Sequence, residues 1–388
     1  MKKVLLGGTA LAAAGLLAMP ASAADVSSGL SLKISGFVGF QAGLNLTDSD
    51  HSNLDRDYDF QSNARIVFDI KNVTDSGLEY GGRIRLNSVN RKDNVQVTRV
   101  YGYVRGEFGT ITFGNAPLAS ADIGYVYAHD ELAGQRGSGG MGYGDLLDTY
   151  GIFAGGGQFF SIDPTYISGI SNQDTRIKYT SPNISGFTFA LDFTPVVGGA
   201  SHAGNGGRND LYNDDKTLYE NVVSGGIRYE QDFSGVSLRL AGTATYGSGV
   251  KTTLSGDNPN GNDAQIYTLG AQVGSGGIYG SVNWVHNESV AIAEKPVDTV
   301  IGDISYTFGP WLASVSYAYT WSERGNGLNS SYTSGRDLQD NHVAGANLTY
   351  TVAPGLNTYA EVTYEKQNFR TGRDFESANL VTGLLLAF

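Results

Sequence analysis

The chain has no cysteine, and only 9 prolines, 3 methionines and 3 tryptophans among 388 residues. No disulfide framework can hold it, although a chain of this length buries enough surface to stand without one. After residue 23 there is no window of about 20 apolar residues, so a transmembrane helix is not available. Basic residues are scarce as well, with 26 Lys and Arg against 38 Asp and Glu and a net charge of −12. A nucleic-acid partner needs a basic face to neutralise phosphates, and this balance excludes one. The five histidines, His51, His129, His202, His286 and His342, lack metal-ligand spacing. No nucleophile motif of the G-x-S-x-G type occurs, and "GSGGMGYG" (137–144) lacks the Lys-Ser/Thr of a phosphate loop. Neither an enzyme nor a bound cofactor is expected.

What the chain has in quantity is 54 Gly, 23 Tyr and 17 Phe, a mix that suits many strands joined by tight turns. It begins with Lys2 and Lys3, an apolar stretch from Val4 to Ala18 and the small-x-small signal Ala21-Ser22-Ala23. This pattern reads as a secretory signal peptide over residues 1–23, cleaved before Ala24; the apolar part is too short, and too broken by Gly and Thr, for an anchor helix. Without Lys2 and Lys3 the net charge of residues 24–388 becomes −14. Those residues read as a single domain.

Alternation with a period of two runs along that whole stretch. In "FQSNARIVFDIK", Phe60, Ala64, Ile66, Phe68 and Ile70 share one face, while Gln61, Asn63, Arg65, Asp69 and Lys71 share the other. "LEYGGRIRL" sets Leu78, Tyr80, Ile84 and Leu86 against Glu79, Arg83 and Arg85, and "FTFALDF" and "VSLRLAGTATY" repeat the scheme. In "WLASVSYAYTW", Trp311, Tyr317, Tyr319 and Trp321 fall on one face, at both ends of an apolar band, as membrane interfaces require.

The connections alternate too. Tight turns at 74–77, 106–110, 181–186, 232–235, 274–277, 309–310 and 353–355 separate long polar stretches near 46–59, 88–95, 115–172, 196–220, 248–262, 287–296, 323–338 and 368–376. These 15 connections give 16 strands, in an all-β antiparallel transmembrane barrel with short periplasmic turns and long extracellular loops. Seven prolines fall in connections and Pro195 where a strand ends, as a ladder that cannot spare an N–H demands. A soluble two-sheet sandwich would also alternate, but it does not call for a strict short/long rhythm. The closing run "NLVTGLLLAF" puts Leu380, Leu384, Leu386 and Phe388 on one lipid-facing side, and its strand should pair with the first one, Leu30 to Leu46, so that no edge stays open in hydrocarbon.

On its signal peptide, its strand-and-loop rhythm, its one long third loop and its terminal Phe388, the chain resembles a Gram-negative general diffusion porin of the 16-stranded, alphaproteobacterial kind, from about Leu30 to Phe388. The resemblance implies a homotrimer in the cell outer membrane, in contact with lipid and lipopolysaccharide, which passes small hydrophilic solutes and ions. It implies a third loop folded into the lumen, and Phe388 as the address read by the barrel assembly machinery.

Arg65, Arg83, Arg85, Arg99 and Arg105 fall on the polar face of three consecutive strands, with Arg228 and Arg239 farther along. The third long stretch, 115–172, holds Asp122, Asp130, Glu131, Asp145 and Asp148, and a connection of that length is usually functional. By the resemblance, the arginines form the basic wall of a pore constriction and these acids its opposite side, with a transverse field between them. Net charge and acidic loops point to a mild cation preference, decided by summed potential. The alternative is a substrate-selective channel, specific for sugars or anions; Tyr101, Tyr103 and Tyr359 face inward, too few for a sugar path. The acidic stretches 48–59 and 257–263 lack the calcium-hand spacing, so any Ca²⁺ there is loosely held, bridging outer loops to anionic lipid.

Overall fold

A computed structural model describes residues 29–46, 58–89, 96–124, 126, 174–198, 217–251, 261–288, 295–323, 337–372 and 374–388. The expected leader 1–23, the acidic stretch 257–260 and most of 48–59 lie outside the described residues, as do Asp130, Glu131, Asp145 and Asp148. Sixteen strands follow in order: β1 (Ser31–Asn45), β2 (Tyr58–Val73), β3 (Glu79–Val89), β4 (Gln96–Gly106), β5 (Gly109–Asn115), β6 (Thr175–Thr180), β7 (Phe187–Gly198) and β8 (Thr217–Phe233). The second half runs β9 (Val236–Gly249), β10 (Ala264–Ser275), β11 (Ile278–Glu288), β12 (Val297–Phe308), β13 (Trp311–Ser322), β14 (Leu338–Ala353), β15 (Leu356–Phe369) and β16 (Phe375–Ala387). A single helical turn, α1 (Ala119–Ile123), follows β5.

Every strand pairs antiparallel with its sequence neighbours, and β16 pairs with β1 from Phe37↔Ala387 to Asn45↔Asn379, which closes the barrel. Gly36 and Phe388 exchange backbone hydrogen bonds of 2.9 and 3.0 Å, so the last residue is the final rung of the seam. Closure matters because an open edge in hydrocarbon leaves each unpaired N–H and C=O several kcal/mol out of favour.

Burial is inverted relative to a soluble protein. Leu32, Val38, Leu269, Val282, Ile304 and Leu384 stand exposed on the outer face, while Thr320, Asn341, Asp303, Glu361 and Gln367 are buried on the inner one. A sheet that alternates strictly has no other way to satisfy lipid outside and polar side chains inside. Trp311 packs on Tyr350, ring centroids 4.5 Å apart, at the short-turn end, and Tyr319 stacks on Trp321 at 5.5 Å toward the long-loop end.

Two of the ladder's departures from plain alternation bear on the interior and on the reading of the sequence. Between β3 and β4 the register shifts after Arg85↔Arg99, so that Thr98 is an extra residue. This bulge puts Thr98 and Arg99 both inside while Val97 and Val100 both face out. The second departure corrects the reading of Pro195 as a strand end: β7 continues past it to Gly198. Its missing N–H falls between the pairs Thr194↔Val222 and Val196↔Glu220, where Asn221 takes a φ of 52° and the β8–β9 register is broken between Glu220 and Val223. A bulge is where a strand can hold a proline without losing a ladder bond.

Candidate functional site

Inward-facing charges concentrate on one side of the barrel. Arg83 grips Asp69 of the neighbouring strand with two hydrogen bonds of 2.6 and 3.0 Å, the planar fork that guanidinium and carboxylate share. Arg105 donates to Glu79 at 3.2 Å and lies over the Tyr103 ring, while Lys71 reaches the other Glu79 oxygen at 2.5 Å. Arg239 pairs with Glu230 at 2.6 Å. Arg65 donates to Asn87 at 2.9 Å and lies over Phe37, 5.2 Å from the ring centre. Arg85 donates to the Thr98 hydroxyl at 2.8 Å, and buried Arg99 to the Thr98 carbonyl at 2.9 Å.

The five arginines expected on the basic wall thus stand on β2, β3 and β4, and Arg85 and Arg99 are direct cross-strand partners. Arg83 and Arg105 keep 42% and 56% of their side chains exposed, so these two, with half-exposed Arg239, present charge to the lumen. Arg99 is only 5% exposed and is held within the wall.

Beyond β5 the chain turns into the barrel. Lys178 of β6 donates to the Pro117 carbonyl at 3.0 Å and pairs with the Asp122 carboxylate on α1, and Arg228 reaches the Asp122 carbonyl oxygen at 3.5 Å. Asp122, the third-loop acid that the structure describes, therefore meets a lysine of β6 and not one of the five arginines. Its side chain is 40% exposed and remains a lumen charge.

Sequence reasoning missed several residues of this interior. Arg176 and Lys178 sit on β6 with Asp192 on β7, all three buried. Their signal was available, since Ile177 and Tyr179 alternate with them and face out. The carboxylates that pair with Arg83, Arg105 and Arg239, namely Asp69, Glu79 and Glu230, also come from the strands themselves. Among the described residues, the inner faces of β10 to β16 carry Asp303, Glu361 and Glu365 and no lysine or arginine. In a ring of sixteen strands β3 lies across from β11, so the interior has a basic half and an acidic half.

Tyr359 faces inward as its phase requires, its hydroxyl accepting from Gln41 at 2.8 Å, and Tyr103 donates to Glu79 at 3.1 Å. Both rings belong to the wall, and neither forms part of a row of aromatics.

Comparison with known proteins agrees with this architecture. Solved structures with the same fold include OmpF of Salmonella typhi in complex with daunomycin, at a TM-score of 0.64 and 13% identity over 93% of this chain and 98% of that one. OmpT of Vibrio cholerae in its trimer form gives 0.57 and 13% over 93% and 100%, and the anion-selective porin of Comamonas acidovorans 0.56 and 13% over 92% and 100%. At such identities the likeness concerns the fold. No match was found among curated proteins. The family model of Gram-negative porins matches residues 9–370, nearly the whole chain, and with the closed 16-stranded barrel this makes the chain a member of the Gram-negative porins, channel proteins of the outer membrane.

Proposed function

We propose that the protein is a passive, water-filled diffusion channel for small hydrophilic solutes and ions, with a mild preference for cations, and that it works as a homotrimer. The observation that carries the selectivity is the pairing of the lumen arginines: Arg83 with Asp69, Arg105 with Glu79 and Arg239 with Glu230. Each pair cancels most of its own charge at a distance, so these three arginines, the ones that present charge to the lumen, do not make an anion path. The potential in the pore then follows the chain as a whole, −14 after the leader, and the acidic inner faces of β10 to β16.

In this reading Arg65, Arg83, Arg85, Arg99 and Arg105 form the basic side of the constriction. Asp122, Asp130, Glu131, Asp145 and Asp148 supply acid from the connection that follows β5. A polar solute crossing between the halves aligns its dipole with the transverse field, and both size and charge set its rate. The trimer rests on the family and on the trimer form of Vibrio cholerae OmpT, which shares the fold.

Single-channel recording in a planar bilayer tests the reading. Ohmic conductance with a reversal potential of cationic sign in a salt gradient is expected, together with liposome swelling that declines smoothly as sugars and amino acids grow larger. No conductance overturns the channel, an anionic sign overturns the selectivity, and one favoured solute in the swelling series replaces the sieve with a selective channel. A single-chain mass by light scattering in detergent overturns the trimer.

A further inference from the structure

The connection that leaves β5 is fastened to the wall by two kinds of contact on a stretch of ten residues. Apolar contacts come first. Leu118 and Ala121 bury themselves with Val197, Leu218, Val222, Ala264 and Ile266, while Ala119 and Ile123 do so with Ala190. Farther along, Gly270 has no side chain, and Val126 fills the space that a Cβ there would need.

Polar contacts pin the same turn. The Asp192 carboxylate accepts the Ala119 N–H, and Lys178 holds both the Pro117 carbonyl and Asp122. The Ser120 N–H donates to the Ser224 hydroxyl at 3.0 Å; that hydroxyl donates to the Ser120 Oγ at 2.8 Å, and Thr245 donates to both oxygens at 3.2 and 3.1 Å. Asp192 and Ser224 are 1% and 0% exposed, so these groups do not compete with bulk water. Arg176 faces Asp192, Asp174 and Asp122, Lys178 pairs with Asp122, and a buried charge that loses its partner is strongly disfavoured. Lifting α1 off the wall would expose Leu118 and Ile123, take the Ala119 N–H from Asp192, and take Asp122 and the Pro117 carbonyl from Lys178.

We propose that Asp192, with Ser224 and Thr245, is a positioning residue of the channel: it clasps α1 to the inner faces of β6 to β9 as a fixed sill, and this is what keeps the open state steady. The proposal deepens the channel reading above, on which its electrical consequence rests. Because Asp192, Ser224 and Lys178 of the clasp are buried, the sill sets the width of the passage, and the exposed charges, Asp122 among them, set its selectivity.

Asp192→Asn and the neutral double variant Ser224→Ala/Thr245→Val are recorded as purified full chains in planar bilayers beside the parent. Each variant should spend about tenfold more time in partial conductance levels, the scale set by one hydrogen bond to a charged group for Asp192→Asn and by the lost hydroxyl hydrogen bonds for the double variant, with an unchanged reversal potential. The chain has no cysteine, so Ser120→Cys/Ser224→Cys can be joined at two facing positions in the Asp192→Asn background. Oxidation should restore the steady current, and a reductant should return the flicker, a rescue that general loss of stability would not show. Hydrogen exchange at Ala119 and Ser120, slow in the parent and about tenfold faster in the variants, reads the clasp without current. Variants as steady and as protected as the parent overturn the clasp, as does flicker that the disulfide leaves unchanged. Where Asp192→Asn does not fold, the Ser224→Ala/Thr245→Val pair, which strands no charge, decides alone. A silent parent overturns the channel reading instead, and the exchange measurement still decides the clasp.

Discussion

Arg83 and Asp69 show what a pore charge is worth at the level of one residue. The pair is bidentate, but Arg83 is 42% and Asp69 31% exposed, so water screens it and its contribution to stability is at most about 1 kcal/mol. Its effect on permeation is larger, because removing the cation leaves Asp69 uncompensated in the lumen. Arg83→Ala is therefore expected to shift the reversal potential further toward cations while the denaturant midpoint of the barrel hardly moves. A shift toward anions would contradict the pairing. The inward direction of Arg83 was legible in "LEYGGRIRL" from alternation alone. Its partner was not, because Asp69 and Arg83 become neighbours only through the β2–β3 register.

Among the elements, β16 joins a local pattern to a global need. Leu384, Leu386 and Phe388 face out, while Val381 and Leu385 are buried on the inner side. The alternation gave that face in advance, and the pairing with β1 was expected from the cost of an open edge. Deleting Phe388 removes the two hydrogen bonds to Gly36, an expected loss of about 1 to 3 kcal/mol, so refolding in detergent should suffer little. Insertion into the outer membrane of living cells should fall much further, measured as the heat-modifiable form in membrane fractions, as expected of the assembly address that the family resemblance implies at Phe388. Equal losses in both assays would remove that role. The β3–β4 bulge was not legible, because Val97-Thr98-Arg99-Val100 breaks the period by one residue and only the neighbouring ladder shows which residue is extra. Pro195 misled for the same reason: a bulge opposite it lets β7 continue.

For the whole molecule, selectivity is a sum over many charges, most of them paired. A preference that arises from the summed potential must weaken with salt, since the Debye length falls from about 10 Å at 0.1 M to about 3 Å at 1 M. The cation preference is accordingly expected to shrink when reversal potentials are measured at a fixed gradient but rising mean salt concentration. A preference that stays constant across that range would point to a close binding site in place of a field.

The linear chain determined what depends on neighbours a few positions apart. Period-two alternation fixes which face of each strand meets lipid, and turn residues fix where strands end; together they gave sixteen strands, a closed barrel and an inner face rich in arginine. Tertiary structure decided what depends on register and on contacts between distant segments. Lys178 with Asp122, Asp192 with the Ala119 N–H, and Ser120 with Ser224 join residues 56 to 104 positions apart. Hydrophobic periodicity is a local signal, whereas the pairing of buried charges is set by three-dimensional proximity, and no spacing along the chain encodes that.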